Sequence, residues 1–320
     1  MLQILLVTFP FFALVLCGYV AARKQFLPHA AIPGLNGFVL YFALPCLLYR
    51  FGSSTPIAQL LDASVFFVYL LCALCMVGFT VAVTLGPRTN WNDASLGALV
   101  AAFPNTGFMG VPLLTALLGA SVSGPVIVTI VVDMVITSSL CIALSRLDTA
   151  GGVGAAMRNA LKGMASNPMP WSILAGALAS YTGFVPYAAI LKTLNMLADA
   201  ASPVALFTIG AVLARSQLAA GTSAQPIFLR DYVPVALFKL FLHPLLVLLM
   251  GSAAISLGVP LAKSSLVTMV LVAALPSASN VSLLAEKFGA NNGRIARIIL
   301  VSTALAFISF STAVHLLTGY

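Results

Sequence analysis

Residues 103–112 read Phe103-Pro104-Asn105-Thr106-Gly107-Phe108-Met109-Gly110-Val111-Pro112, in the middle of an apolar stretch that runs from about 95 to 119. Proline removes a backbone donor and clashes with the preceding turn, and glycine makes departure from helical geometry cheap. This stretch therefore predicts a helix that unwinds part-way along. At membrane depth, unwound backbone is tolerated only where protein or water surrounds it. Such a break exposes N–H groups at the start of one half-helix and C=O groups at the end of the other. The N-terminal ends attract anions, and Asn105 and Thr106 add neutral hydrogen-bonding groups.

A second stretch has the same character. Leu275-Pro276-Ser277-Ala278-Ser279-Asn280 lies inside the apolar run 264–287, with Ser277, Ser279 and Asn280 as its polar groups. Moving outward from the two, the chain contains ten apolar stretches, at about 3–22, 34–51, 64–86, 95–119, 124–146, 169–186, 195–214, 232–257, 264–287 and 295–318. Each is near the roughly 20 residues that a membrane-spanning helix needs, and far longer than the roughly ten of a barrel strand. Only 7% of the residues are charged against 61% hydrophobic, with a mean hydropathy of +1.09. A soluble domain carries about 25% charged residues. The class expected is an all-α integral membrane protein of ten transmembrane helices.

The loops give an orientation. Arg23, Lys24, Arg88, Arg146, Arg158, Lys162, Arg215, Arg230, Lys287, Arg294 and Arg297 follow odd-numbered stretches, whereas only Arg50, Lys192 and Lys263 follow even-numbered ones. The positive-inside rule puts the first group in the cytoplasm and both termini outside, in a bacterial-type inner membrane. The net charge of +8 is thus an orientation signal rather than a nucleic-acid surface. The first 22 residues hold no Lys or Arg, so they read as a helix and not as a signal peptide. The five cysteines lie in apolar runs, and the pair Cys72 and Cys75 has no second pair or nearby His to make a metal site. No G-x-x-x-x-G-K-[ST], H-E-x-x-H or G-x-S-x-G occurs, so neither an ATP-driven pump nor an enzyme is expected, and no cofactor.

A Gly-containing linker at 147–167 separates a first five-helix repeat (1–146) from a second (168–320). Arg158 and Lys162 suit a basic segment on an anionic leaflet, or simply a solvated linker. With five helices per half, the second half enters the membrane in the opposite sense, which makes an inverted repeat if the halves share a fold. The broken helices are the fourth of each half. The second and seventh stretches also correspond, with Ala43-Leu44-Pro45 and Ala201-Ser202-Pro203. Pro45 and Pro203 read as hinges or packing features.

Ionisable groups inside a membrane raise a functional hypothesis. Asp133, in the middle of the fifth stretch, suits proton exchange or Na⁺ binding, and equally a protonated carboxyl bonded to Thr129 or Thr137. Lys239 and His243 share a helix face. Lys239 could pair with an internal carboxylate or guide an anion, or snorkel to the interface; His243 reads as a packing residue. Asp199, nearer the outer end of its helix, carries no assigned role.

The segments Asn105 to Pro112 and Leu275-Pro276-Ser277-Ala278-Ser279-Asn280-Val281 resemble the auxin efflux carrier family, which includes bacterial malonate carriers. Ala43-Leu44-Pro45, Pro203 to Gly210 and Lys239 to Pro244 agree with it. The resemblance implies two inverted five-helix repeats, with helices 4 and 9 crossing where each is broken. Helices 1, 2, 6 and 7 would form a scaffold and the rest a mobile transport domain. It implies a substrate site at Pro104, Asn105, Thr106, Gly107, Pro276, Ser277, Ser279 and Asn280, and secondary transport of a malonate-like dicarboxylate or other small carboxylate. Asp133 and Lys239 are the coupling candidates, toward H⁺ or Na⁺. A Na⁺-coupled symporter of larger anions of the bile-acid type, or a receptor or channel, are the alternatives. The expected partners are the anion and the lipid bilayer, without nucleic acid; a homodimer is compatible with this reading.

Overall fold

In hydrocarbon a helix satisfies its own backbone, and the described residues are accordingly helical, with no named strand among them. The structure is a computed structural model describing residues 2–147, 168–220 and 227–319, with Gly154 and Arg158 between the first two segments. The linker at 147–167, including Lys162, lies outside the described residues except for Leu147, Gly154 and Arg158.

In chain order the helices are α1 (Leu2–Arg23), α2 (His29–Ser54), α3 (Ala63–Thr84), α4 (Trp91–Ala102), α5 (Thr106–Leu118) and α6 (Ser123–Leu144). After the linker come α7 (Pro168–Thr182), α8 (Ala188–Ala220), α9 (Leu229–Ser256), α10 (Lys263–Ala274), α11 (Asn280–Lys287) and α12 (Asn292–Thr318). Seven helices among the described residues are long and apolar enough to cross a membrane. The sequence suggests ten stretches. Of the other three, the fourth and ninth are each cut in two, into α4 with α5 and α10 with α11. The sixth is the described 15-residue helix α7, which ends at Thr182, before the expected 186. The seventh extends beyond its expected start, to Ala188.

Local chemistry sets several boundaries. Asp62 Oδ1 accepts from the Val65 N–H at 3.1 Å, Asn90 Oδ1 from Asp93 at 2.8 Å, and Asn291 Oδ1 from Arg294 at 3.0 Å, capping α3, α4 and α12. Three wide π-turns, Val39–Ala43, Thr106–Gly110 and Phe238–Leu242, end two residues before Pro45, Pro112 and Pro244. In a regular helix the proline ring clashes with the carbonyl four residues back. The wider turn relieves that clash without ending the helix. Pro203, in contrast, sits inside α8 with no interruption. A fourth π-turn, Val132–Thr137, contains no proline, and Ser138 Oγ donates to the Asp133 carbonyl there at 2.8 Å.

Lipid gives helices no hydrophobic reason to associate, so small residues that let backbones touch become the means of packing. A Cβ on Gly18 of α1 would stand 1.8 Å from the Phe207 carbonyl oxygen of α8, and one on Gly210 would stand 1.8 Å from the Val15 oxygen. Gly176 of α7 and Gly52 of α2 are similarly tight, at 2.5 Å from the Tyr49 oxygen and 3.0 Å from the Ile173 oxygen. The numbers carry a regularity. Positions 18 and 176, 52 and 210, 10 and 168, and 45 and 203 hold glycine, glycine, proline and proline, and each pair is 158 residues apart. The same shift turns the contact Gly18–Phe207 into Gly176–Tyr49, and Gly210–Val15 into Gly52–Ile173. The same shift thus relates both the residues and the contacts they make.

At one end of the molecule Arg294 is buried against three helix starts. Its Nε donates to the Asp231 carbonyl at 2.7 Å and its Nη1 to the Asp93 carbonyl at 3.0 Å, while Asp93 Oδ1 accepts from the Asn291 N–H at 2.7 Å. The starts of α4, α9 and α12 are thereby tied together.

Candidate functional site

The two breaks meet. Asn105 N–H donates to the Pro276 carbonyl at 2.8 Å, and Ala278 N–H to the Phe103 carbonyl at 2.9 Å, so Pro104 and Ser277 face each other as a short antiparallel bridge. Each break satisfies part of the backbone that the other has lost. Ser277 N–H is held by Ser302 Oγ of α12 at 3.2 Å. The half-helices α5 and α11 both start here, and neither has a side-chain cap on its first turn. Their leading N–H groups and positive dipole ends therefore converge on the bridge.

Two small cavities flank it, each with room for about one water-sized molecule. One is bordered by Pro104, Asn105, Thr106 and Gly107, with Leu44, Leu48, Ile130 and Met134. The other is bordered by Ser279 with Asn36, Val39, Ala205, Ile209 and Val212. Phe108 and Asn280 border both. Asn105 is only 4% exposed, and its side chain has no hydrogen-bond partner among the described residues. Ser277 Oγ and Asn280 Oδ1 are also buried without a partner. Unpaired buried polar atoms are costly, and clustered as here they have the chemistry to receive a polar ligand. The sequence-predicted residues Pro104, Asn105, Thr106, Gly107, Ser279 and Asn280 thus border the cavities. Pro276 and Ser277 belong to the bridge behind them.

A second polar cluster lies in the same part of the molecule. Asp133 of α6 is fully buried; its Oδ2 accepts from Tyr69 Oη of α3 at 3.0 Å, and its Oδ1 from Thr137 Oγ1 at 3.4 Å. Thr129, the other neighbour considered from sequence, donates instead to the Val126 carbonyl. Lys239 does not snorkel. It is 0% exposed, its Nζ donates to the Ala273 carbonyl, and His243 Nδ1 lies 3.3 Å away. Ala273 is in the last turn of α10, so the ammonium neutralises the carbonyl end of the broken helix. The His243 ring is 6.2 Å from the Tyr69 ring, and its Nε2 is buried without a partner. Asp133 and Lys239 form no direct ion pair; Tyr69, bonded to the one, and His243, beside the other, lie between them in the sequence of contacts. The cluster spans α3, α6 and α9 and reaches the break through Ala273. Asp199 is elsewhere, exposed and paired with Arg50 at 2.6 Å.

Tyr69 carried no sequence signal that singled it out: it is one hydroxyl in a 22-residue apolar helix. Phe108 lies inside the broken stretch and Asn36 near the start of the second, but the sequence assigns neither to the site; their place at the cavities follows only once α2 and α5 are brought together. The π-turns could have been sought, since three of the four precede a proline.

A family model described as "Membrane transport protein" matches residues 4–151 and 154–314. The chain belongs to this family of membrane transporters. Membership agrees with the auxin efflux carrier resemblance, and it makes the protein a multi-pass transporter. Among its relatives is the "Putative malonate transporter" of Rhizobium meliloti (strain 1021), 30% identical over 96% of this chain and 94% of that one. The "Uncharacterized transporter YfdV" of Escherichia coli (strain K12) is 28% identical over 87% of this chain and 86% of its own length. A mouse "Lysosomal cholesterol signaling protein" shares 32% identity over 33% of this chain, which is 12% of that larger protein.

Proposed function

We propose that this family member is a secondary carrier of a small organic anion, with a malonate-like dicarboxylate as the leading substrate, working by alternating access. The observation that carries the reading is the paired break: two half-helix starts and the unpartnered Asn105 converge where small cavities lie between α2, α6 and α8. That is chemistry for a carboxylate, which gains charge-assisted hydrogen bonds from neutral donors without a buried counter-charge. The malonate assignment rests on the relative from Rhizobium meliloti.

The architecture proposed is ten membrane-spanning helices in two inverted five-helix repeats, 1–146 and 168–320, crossing at the breaks. The 158-residue correspondence and its exchanged contacts support the repeat. The glycine-packed α1, α2, α7 and α8 would be the scaffold, with Pro45 and Pro203 as matched flexing points. The remaining helices would move as the transport domain. Both termini would face outside, as the loop charges suggest, and a homodimer would leave the pathway within each copy.

Coupling is assigned to Asp133 and Lys239. Lys239 reaches the C-terminal end of α10, beside the break, and Asp133 answers it through Tyr69 and His243. A proton gained or lost at Asp133 would change the charge balance behind the substrate site.

The test is uptake of labelled malonate, succinate, citrate and indole-3-acetate into proteoliposomes, with imposed H⁺ or Na⁺ gradients. The expected result is saturable flux of a short dicarboxylate that falls roughly ten-fold or more in Asn105→Ala, the loss expected for hydrogen bonds to a charged group. Unsaturable flux with unitary currents would make the protein a channel, and ligand binding without flux a receptor. Drive by Na⁺ alone would favour the symporter reading. Saturable flux untouched by Asn105→Ala would move the site away from the break.

A further inference from the structure

The two cavities are stacked along one helix. On α2 the first takes in Asn36 and Val39, and the second Leu44 and Leu48. A helix rises about 1.5 Å per residue, so the two sets of α2 residues are separated by roughly 10–15 Å along the helix axis. Phe108 borders both and is only 7% exposed. Asn280 also borders both, but Phe108 carries the larger apolar side chain, the group suited to fill the space between them. The backbone that carries it is the π-turn Thr106–Gly110, where the Asn105 carbonyl accepts from both Met109 and Gly110 at 3.0 Å. A Cβ on Gly110 would meet Leu275 Cδ1 at 2.6 Å, so this turn is pressed against the partner break. The backbone that carries the ring is thus held by the same contacts that hold the two broken helices together.

We propose that Phe108 is the partition between two halves of the substrate pathway, and that it sets the upper length of the anion carried. This rests on the carrier reading for its substrate, but not for its geometry. Each cavity has room for about one water-sized molecule, so substrate entry has to widen one of them; a short dicarboxylate needs only the space on one side of the ring, whereas a longer one needs the position the ring occupies. Neither Asn105 nor the half-helix starts limit length in this way, because they contact only the carboxylate.

Two readouts test it. In a background with Cys17, Cys46, Cys72, Cys75 and Cys141 changed to Ser, single reporters Asn36→Cys and Leu48→Cys are treated with a charged thiol reagent from one side of the membrane. With Phe108 present, one reporter is expected to react much more slowly than the other; in Phe108→Ala both should react at similar rates. Phe108→Leu, the gentler change, should lie between and covers the case in which the alanine variant does not fold. In the second readout, the ratio of five-carbon to three-carbon dicarboxylate uptake should rise about ten-fold in Phe108→Ala, the scale on which one pocket contact discriminates. A shielded reporter that stays shielded in both variants, or a length ratio that does not move in an active variant, overturns the partition. A reporter that opens in protein that carries none of the dicarboxylates upholds the partition and overturns the anion reading instead.

Discussion

The helices α1, α2, α7 and α8 differ in kind from α4, α5, α10 and α11. In the first group backbones touch through Gly18, Gly52, Gly176 and Gly210. In the second, helices stop at Pro104 and Pro276, polar atoms lack partners, and charged groups lie buried close by. Both groups sit in the same lipid-solvated molecule and both use glycine and proline. The same residue types serve opposite ends because position decides their effect. A single glycine on a helix face lets a neighbour approach. Glycines between two prolines, as at 104–112, let the helix come apart. The difference suggests that one region holds its shape through contacts that cannot slide, and that the other keeps the irregular backbone a ligand requires.

The sharpest way to break this comparison is at the glycines. Gly210→Leu, or Gly18→Leu, puts side-chain atoms where a carbonyl oxygen already stands, and should cost more than about 3 kcal/mol, the upper range for overpacking. Little monodisperse protein should be recovered in detergent. Gly34→Ala and Gly37→Ala, where an added Cβ meets nothing within 4 Å, should leave yield and thermal stability near wild type. Equal tolerance at all four positions would mean that the close contacts do not hold the region together.

The next effect is expected at the buried charges. Lys239→Met removes the donor to the Ala273 carbonyl and leaves that buried acceptor without its partner, at a cost of roughly 1–3 kcal/mol. Asp133→Asn alone should abolish dependence on a proton gradient. The double variant should be more stable than the sum of the two single losses, and thermal unfolding of all four proteins measures this directly. Additive losses would separate the two residues, and Asp133→Asn with unchanged gradient dependence would remove it from coupling.

The smallest effect tests the first region again. Arg50 and Asp199 join α2 to α8 by an ion pair whose side chains are 36% and 70% exposed. Such pairs contribute about 0–1 kcal/mol and weaken with salt. Asp199→Asn should therefore shift the unfolding temperature little, at low or high ionic strength. A large loss would show that electrostatics, and not backbone packing, keeps these helices together.

Much of the fold could be read directly from the chain. Ten long apolar stretches demand helices, because lipid gives the backbone no other partner, and the prolines at 104 and 276 announce where two of them stop. The residues Asn105, Thr106, Ser279 and Asn280 stand out for the same reason: polar groups beside a break in an apolar run have few other uses. The surroundings of Lys239 could not be read, because a lysine two turns from a helix end can equally reach water. Tyr69 had no distinguishing pattern, since its partner is 64 residues away on another helix.

By itself, then, the sequence determined the membrane class, the places where helices break and the residues at the breaks. These follow from local rules, the solvent's demand that every backbone group be paired and proline's inability to comply. It also carried the 158-residue correspondence, although only the contacts between Gly18 and Phe207, and between Gly176 and Tyr49, give that spacing a meaning. Tertiary structure alone decided that the two breaks pair with each other, that Lys239 turns inward to Ala273, and that Phe108 borders two cavities. Each of these depends on which helix faces which. In lipid, where apolar faces are nearly equivalent, that choice is made by close packing and a few buried polar groups distributed over the whole chain.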